Sequence, residues 1–484
     1  MLDKKLSVRK SLVYSFAQQY TTFVFGFAAI VIVSRLLTPK EIGVFSIAVG
    51  LTTLANLLRT FGISEYLVQE KALTEQTIRT SFTINLIFAW SLAIVLFGVS
   101  WLVGDFFNDA GVGKVMRVMS GTFILVPLGI TAMALLKRDM AFGVLYKINT
   151  SASITGSILT VVLAYLGFSY MSMAWASLAS MVVMVLGCGI WGSEYRVRGL
   201  SLAAWRQILP FGAKITLSDI ARQLGEQSAG LVVGKMLGLA DAGLYSRGYG
   251  PVNMFREKVV AAIGAVAFPA YAVEHREARA APQLFLKSLV YLTGISWPFF
   301  VFASLMAFPL IRILFGDQWD ASVPLMRWVC LAAIVGTLTY QCNLFFIAVG
   351  RIGVATTVEV QYQLARCLIV VVAAFWSLEA IAASQILVYV IATVLYYRKI
   401  RDFDALGVRN CARALAPSAI VALGSNIVPA LVLFWPGFLS HHLIGGLVTS
   451  GLGAGTGWLL AGFAIKHPLL HEVQHAVGRL RVSP

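Results

Sequence analysis

The sequence predicts an all-α polytopic membrane protein of about fourteen transmembrane helices, arranged as two parallel, pseudo-symmetric six-helix lobes with two extra helices at the C-terminal end. Three observations carry that prediction. The 484 residues are 58% hydrophobic and only 12% charged, with a mean hydropathy of +0.81, whereas a soluble domain carries about 25% charged residues. Apolar runs long enough to cross a hydrocarbon core as a helix recur from end to end. One stretch of sequence also occurs twice.

The runs define the elements in order: 12–34, 42–63, 80–104, 115–136, 144–167 and 171–191, then 208–234, 242–270, 284–311, 323–348, 353–376 and 378–397, and last 412–434 and 440–465. Each is continuous rather than alternating, which excludes barrel strands, and a helix satisfies its backbone groups within itself. They divide the chain into a first lobe (1–200), a second lobe (201–400), two additional helices (401–466) behind the basic linker YYRKIRDFDALGVRN, and a tail (467–484). The connections are too short to hold a soluble domain. The first run exceeds a signal-peptide core and leads into further runs instead of a cleavage site, so it reads as a retained helix.

Cations set the expected orientation. With the N-terminus inside, the inner connections hold Lys4, Lys5, Arg9, Lys10, Lys71, Arg79, Lys137, Arg138 and many more, against Arg35, Lys40, Lys114, Arg117, Lys235, Arg247, Arg312 and Arg327 outside. Both termini are therefore expected in the cytoplasm. This asymmetry absorbs the net charge of +16, and without an aromatic-interleaved basic segment the chain lacks a nucleic-acid footprint. Cys188, Cys330, Cys342, Cys367 and Cys411 stand singly, with neither disulfide nor zinc spacing.

The repeated stretch is VSRLLTPKEIGVFSIAVG at 33–50 and VGKMLGLADAGLYSRGYG at 233–250. The two align without a gap, matching Val33 with Val233, Leu37 with Leu237, Gly43 with Gly243, Ser46 with Ser246 and Gly50 with Gly250. VMRVM at 115–119 and LMRWV at 325–329 extend the correspondence. An even number of crossings separates the copies, so they enter the membrane in the same direction. Parallel halves of this kind enclose a cleft that rocking opens to one side and then the other.

A charge near mid-bilayer costs about 2.5–3.5 kcal/mol on insertion scales, so ionised groups that persist there are the candidate functional residues. The second run carries Asn56 and Arg59; the eighth carries Asn253, Arg256, Glu257 and Lys258. Arginine suits phosphate because its planar fork makes bidentate, charge-assisted bonds, although Arg59 could instead snorkel and Arg256 pair with a nearby acid. Asp219, Arg222, Gln223 and Glu226 share one helical stripe in the seventh run, and Glu359, Gln363 and Arg366 repeat the device in the eleventh. These stripes read as a polar wall for sugar hydroxyls or as ion pairs between helices.

Candidate substrate-binding residues are thus Arg59, Arg256, Arg222, Arg366, Asn56, Asn253 and Gln363, and candidate ion-coupling carboxylates are Asp219, Glu226 and Glu359. Tyr340, Gln341 and Asn343 add hydroxyl and amide groups in the tenth run. In the fourteenth run, Gly451 with Gly455 and Gly453 with Gly457 form two small-residue packing pairs. His467, His471 and His475 fall at i, i+4 and i+8 among Leu469, Leu470, Val473 and Val477, which predicts a helix on the membrane surface in preference to a metal site. With no nucleotide loop, metal cluster or nucleophile–base grouping, the expectation is a transporter without a cofactor and not an enzyme.

The segments SRLLTPKEIGVFSIAVGLTTLANLLRTFGISEYLVQ and FGDQWDASVPLMRW resemble those of the Wzx-like polysaccharide transporters, the oligosaccharide flippases of the multidrug/oligosaccharidyl-lipid/polysaccharide superfamily. The likeness runs across the twelve core helices. It implies a V-shaped fold in a bacterial inner membrane that moves undecaprenyl-pyrophosphate-linked oligosaccharide repeat units to the periplasmic leaflet for capsule, O-antigen or exopolysaccharide export. Membrane lipids and polysaccharide polymerase or export machinery are the expected partners; the carboxylates offer a site for a coupling H+ or Na+, while the sequence does not say whether either gradient resets the cycle. The family has no strict catalytic motif, so no site residue carries over by name. A cation-coupled multidrug exporter of the same superfold is the alternative; it predicts an acidic, aromatic pocket, whereas arginines on the second and eighth runs favour an anion.

Overall fold

The computed structural model describes residues 8–60, 63–70, 73–197, 199–276, 281–401, 403, 406–435 and 442–470. Among these the chain forms α-helices and no strand: α1 Val8–Leu36, α2 Pro39–Thr60, α3 Ile63–Gln69, α4 Glu75–Phe106, α5 Ala110–Leu125, α6 Pro127–Arg138, α7 Phe142–Tyr165, α8 Met171–Trp191, α9 Trp205–Met236, α10 Leu239–Arg276, α11 Ala281–Leu305, α12 Ala307–Phe315, α13 Ser322–Ala348, α14 Ile352–Ala373, α15 Leu378–Ile400, α16 Val408–Ser425, α17 Ile427–Phe434 and α18 Leu443–Ala464.

Within the described residues every predicted run is helical, but three are broken. Pro127 starts α6 at a 52° bend from α5, because proline has no N–H to continue the ladder. The other breaks fall at Met306 and Asn426. The amide of Asn426 donates to Ala422 O at 2.8 Å and to Pro298 O at 3.1 Å, so a side chain takes over carbonyls at the interruption. Helix α3, too short to show as an apolar run, was not foreseen.

Among the described residues, ten helices are long and apolar enough to cross a membrane, or eleven if α5 and α6 count as one span. That is fewer than the predicted fourteen. The shortfall lies in α9, α10 and α14, the helices that carry Arg222 and Glu226, Arg256 to Lys258, and Glu359 to Arg366.

The chain forms two compact units, Met1–Gly243 and Leu244–Pro484. In the first, α4 packs on α5, α5 on α8, α8 on α7 and α7 on α1, while α9 lies on α2. In the second, α11 packs on α13, α13 on α15 and α15 on α14; α16 adds to α11, and α18 to α16 and α17. The chain of pairings α4–α5–α8–α7 is thus repeated as α11–α13–α15–α14.

The duplication is preserved in the backbone hydrogen bonds that flank the two turns. Leu37 N bonds Val33 O at 2.9 Å and Leu237 N bonds Val233 O at 2.9 Å; Ile42 N bonds Thr38 O and Ala242 N bonds Gly238 O, both at 3.1 Å. The turns themselves differ in chemistry. Before α2, the Thr38 N–H and hydroxyl both donate to the Glu41 carboxylate, at 2.7 and 2.8 Å, with Pro39 at the first helical position. Before α10, Gly238 makes the same turn with a φ of +116° that only glycine adopts freely. Elsewhere in each unit, Trp90 Nε1 donates to Ile124 O at 3.3 Å and Trp297 Nε1 to Ile334 O at 3.0 Å, a repeated bond that no short motif announced.

At the C-terminal end only one predicted glycine pair is used. A Cβ on Gly453 or Gly457 would collide with Val428 or with Gly424 O, while Gly451 and Gly455 face open space. His467 does not lie on a surface. It is 3% exposed, stacked over Gly294 of α11, and its Nδ1 accepts the Leu469 N–H at 3.3 Å. The ring proton is therefore on Nε2, which donates to Ser418 Oγ at 3.2 Å, and burial lowers the pKa of the ring. His471 and His475 lie outside the described residues. The cysteines are free.

Candidate functional site

In the first unit Asn56 and Arg59 come together within α2. Arg59 Nε donates to Asn56 Oδ1 at 3.2 Å, the side chain is 6% exposed, and its Nη1 is buried without a hydrogen-bond partner. Arg59 thus does not snorkel into water. On α9, Arg222 and Glu226 form an ion pair at 3.5 Å along one helix face, with side chains 42% and 22% exposed. Pairs this open contribute about 0–1 kcal/mol. The side chain of Asp219 lies outside the described residues.

In the second unit α10, α13, α14 and α15 assemble two polar clusters in an apolar surround. One is built on arginine. Arg366, 3% exposed, donates Nε and Nη2 to the single oxygen Gln385 Oε1 at 2.9 and 2.8 Å. Its Nη2 also reaches Tyr389 OH at 3.5 Å, and its guanidinium carbon lies 5.5 Å from the centre of that ring. Arg256 comes to the same phenol from α10, with Nη1 2.8 Å from Tyr389 OH, and lies over the Tyr340 ring at 5.3 Å. A cavity of about 10 Å³ is lined by Tyr249, Asn253, Arg256, Tyr340, Arg366, Gln385 and Tyr389 among others. That is space for about one water.

The other cluster is built on Glu359, 4% exposed. Its Oε1 accepts from Tyr362 OH at 2.9 Å and Gln363 Nε2 at 3.0 Å; its Oε2 accepts from Tyr396 OH at 3.2 Å and Asn343 Nδ2 at 3.4 Å. The carboxylate sits in a cage of neutral donors, so the charge is solvated by hydrogen bonds instead of a cation. Gln363 Oε1 and both amide atoms of Gln341 are buried without partners.

Asn253 is drawn aside: its amide donates to the exposed Glu257 at 2.8 Å and accepts from Tyr249 OH at 3.2 Å. The stripe Glu359, Gln363, Arg366 is therefore not an internal ion pair. Glu359 takes tyrosines and amides, and Arg366 takes an amide on the next helix. Sequence reading overlooked Gln385, Tyr389 and Tyr396. They stand at i, i+4 and i+11 on α15, a stripe that periodicity could have found but that carries no charge to draw notice. Among the described residues no three His, Cys, Asp or Glu side chains converge as a metal site would require.

The model of a family described as polysaccharide biosynthesis protein matches residues 32–324. The lipopolysaccharide biosynthesis protein WzxC of Escherichia coli (strain K12) is 24% identical over 332 residues, 68% of each chain. The succinoglycan biosynthesis transport protein ExoT of Rhizobium meliloti (strain 1021) is 26% identical over 354 residues, 72% of this chain and 70% of that one. Among solved structures, the lipid II flippase MurJ in an inward closed conformation covers 95% of this chain and 100% of its own, with a TM-score of 0.74 at 10% identity. An inward-facing multidrug resistance MATE family transporter of the MOP superfamily covers 79% and 95%, with a TM-score of 0.59 at 15% identity. At such identities the two structures speak to the fold, and the fold is that of this transporter superfamily.

Proposed function

The chain belongs to the polysaccharide biosynthesis protein family, and from that premise we propose that it is a flippase for undecaprenyl-pyrophosphate-linked oligosaccharide repeat units. It carries them from the cytoplasmic to the periplasmic leaflet of a bacterial inner membrane, exposing a site alternately to the two sides, and feeds polysaccharide export. The names of its relatives, which speak of lipopolysaccharide and succinoglycan, support a polysaccharide precursor as cargo.

The observation that carries the reading is the arginine pair on Tyr389. Arg256 and Arg366 converge on one phenol oxygen, and among the described residues no carboxylate is paired with Arg366. A buried guanidinium lacking a counter-ion is costly. A phosphoryl group accepting from both arginines in place of Tyr389 OH supplies that counter-ion. The cavity is too small for a pyrophosphate as it stands, so loading requires its walls to part. A multidrug exporter needs the opposite sign at this point, which is why the organic-cation alternative is the weaker one.

Glu359 is the carboxylate we assign to H+ or Na+ coupling, since its donors are neutral and can re-pair when its charge changes. A positive inner face supports cytoplasmic termini, and polymerase or export machinery is the expected recipient of the cargo. The test is complementation of a flippase-null strain with Arg256→Ala and Arg366→Gln. Both variants insert normally and lose polymer export; export at the unmodified level by both overturns the reading.

A further inference from the structure

Gln385 stands where a buried arginine ordinarily finds a carboxylate. The guanidinium of Arg366 offers two parallel N–H groups, a geometry that fits Asp or Glu bidentately, yet the acceptor is one amide oxygen, 2.9 and 2.8 Å away. Gln385 is 2% exposed, and its own Nε2 reaches Ile381 O at 3.5 Å one turn back along α15, which keeps the oxygen turned toward the arginine. A second cation, Arg256, lies across the shared Tyr389 hydroxyl. Glu359, the acid on the same helix as Arg366, is occupied by Tyr362, Gln363, Tyr396 and Asn343.

We propose that Gln385 is a positioning residue that determines specificity: it fixes the Arg366 guanidinium through a neutral acceptor, leaving its positive charge uncancelled for an anionic phosphoryl group. A glutamate here would hold the arginine equally well and cancel the charge the cargo needs. The proposal rests on the arginine pair being the anion site. It adds that the absence of charge at position 385 is what selects for pyrophosphate over neutral or cationic loads.

Glutamine and glutamate are nearly isosteric, so Gln385→Glu separates the two roles. The purified full chain is measured in detergent for binding of undecaprenyl pyrophosphate and for melting temperature, and in proteoliposomes for translocation of a lipid-pyrophosphate oligosaccharide. The expected Gln385→Glu protein melts no lower than the unmodified chain but binds about tenfold more weakly, the equivalent of one charge-assisted bond. Gln385→Met keeps the charge and removes the acceptor; it raises KM while leaving the maximal rate unchanged.

Arg366→Gln run alongside tells the two readings apart. If Arg366→Gln loses binding while Gln385→Glu binds normally, the anion site stands and the role of Gln385 is overturned. If Arg366→Gln also binds normally, the anion site falls and the proposal with it. Should Gln385→Glu fail to fold, an unchanged KM in Gln385→Met overturns the proposal.

Discussion

Gly43 and Gly243 pack against one another reciprocally: a Cβ on Gly43 would strike the carbonyl oxygen of Leu239, and a Cβ on Gly243 would strike that of Pro39. Each glycine of the duplicated stretch thus lies under the first residue of the helix that holds the other, with backbone meeting backbone where any side chain would intrude.

Alanine at either position must therefore push two helix starts apart. Gly43→Ala and Gly243→Ala are each expected to cost on the order of 3 kcal/mol, the upper range for overpacking. Thermal unfolding followed by size-exclusion fluorescence measures this. Gly26→Ala is the control: no atom lies within 4 Å of its added methyl, and helix propensity gains up to about 1 kcal/mol. Equal melting of all three variants would remove the reason for the paired glycines.

Trp90 and Trp297 make the same bond in the two units, but Trp90 is 46% exposed and Trp297 is half-buried. Trp297→Phe is expected to destabilise by about 1 kcal/mol, the net worth of a protected hydrogen bond, and Trp90→Phe by less. Chemical denaturation in mixed micelles gives the ranking.

Glu359→Gln replaces an acceptor by an amide whose NH2 must face existing donors, a conflict worth about 1–3 kcal/mol. The protein is expected to fold, bind cargo and exchange it between leaflets without a gradient, while losing acceleration by an imposed proton or sodium gradient. Proteoliposome assays with and without each gradient decide this, and a variant still driven by the gradient excludes Glu359 from coupling.

His467 is held neutral, and burial lowers its pKa below the ordinary 6.5. Above that value folded and unfolded rings are both neutral, so its contribution to stability is complete. As pH falls below 6.5 the unfolded ring takes up a proton that the folded ring refuses, and stability declines until the folded pKa is reached. Protonation at Nδ1 would also set a donor against the Leu469 N–H. The melting temperature is expected to drop as pH falls below about 6.5, with a smaller drop in His467→Gln.

The membrane class, the helical nature of the apolar runs, the duplication at 33–50 and 233–250, and the ionisable stripes on α9, α10 and α14 were legible in the sequence; the count of fourteen spans was not, since ten or eleven of the described helices are long and apolar enough. The class, the runs and the stripes are properties of residues near in the chain or of a period along one helix, and the duplication is read by aligning two stretches of the chain. The breaks at Pro127, Met306 and Asn426 were not foreseen: the run 115–136 was expected to be continuous, and Asn426 acts through Pro298 on another helix. His467 looked amphipathic because its local neighbours are leucine and valine, yet Gly294, far away in sequence, leaves room for the ring.

The sequence by itself determined which helices carry charge among apolar neighbours and which charged residues share a face, because helical period acts locally. Only the tertiary structure decided which partner each charge took. Arg366 could have met Glu359 two turns away on its own helix and instead meets Gln385 on the next. Partner choice follows from which helices pack together and in what register, and no period along a single helix encodes that.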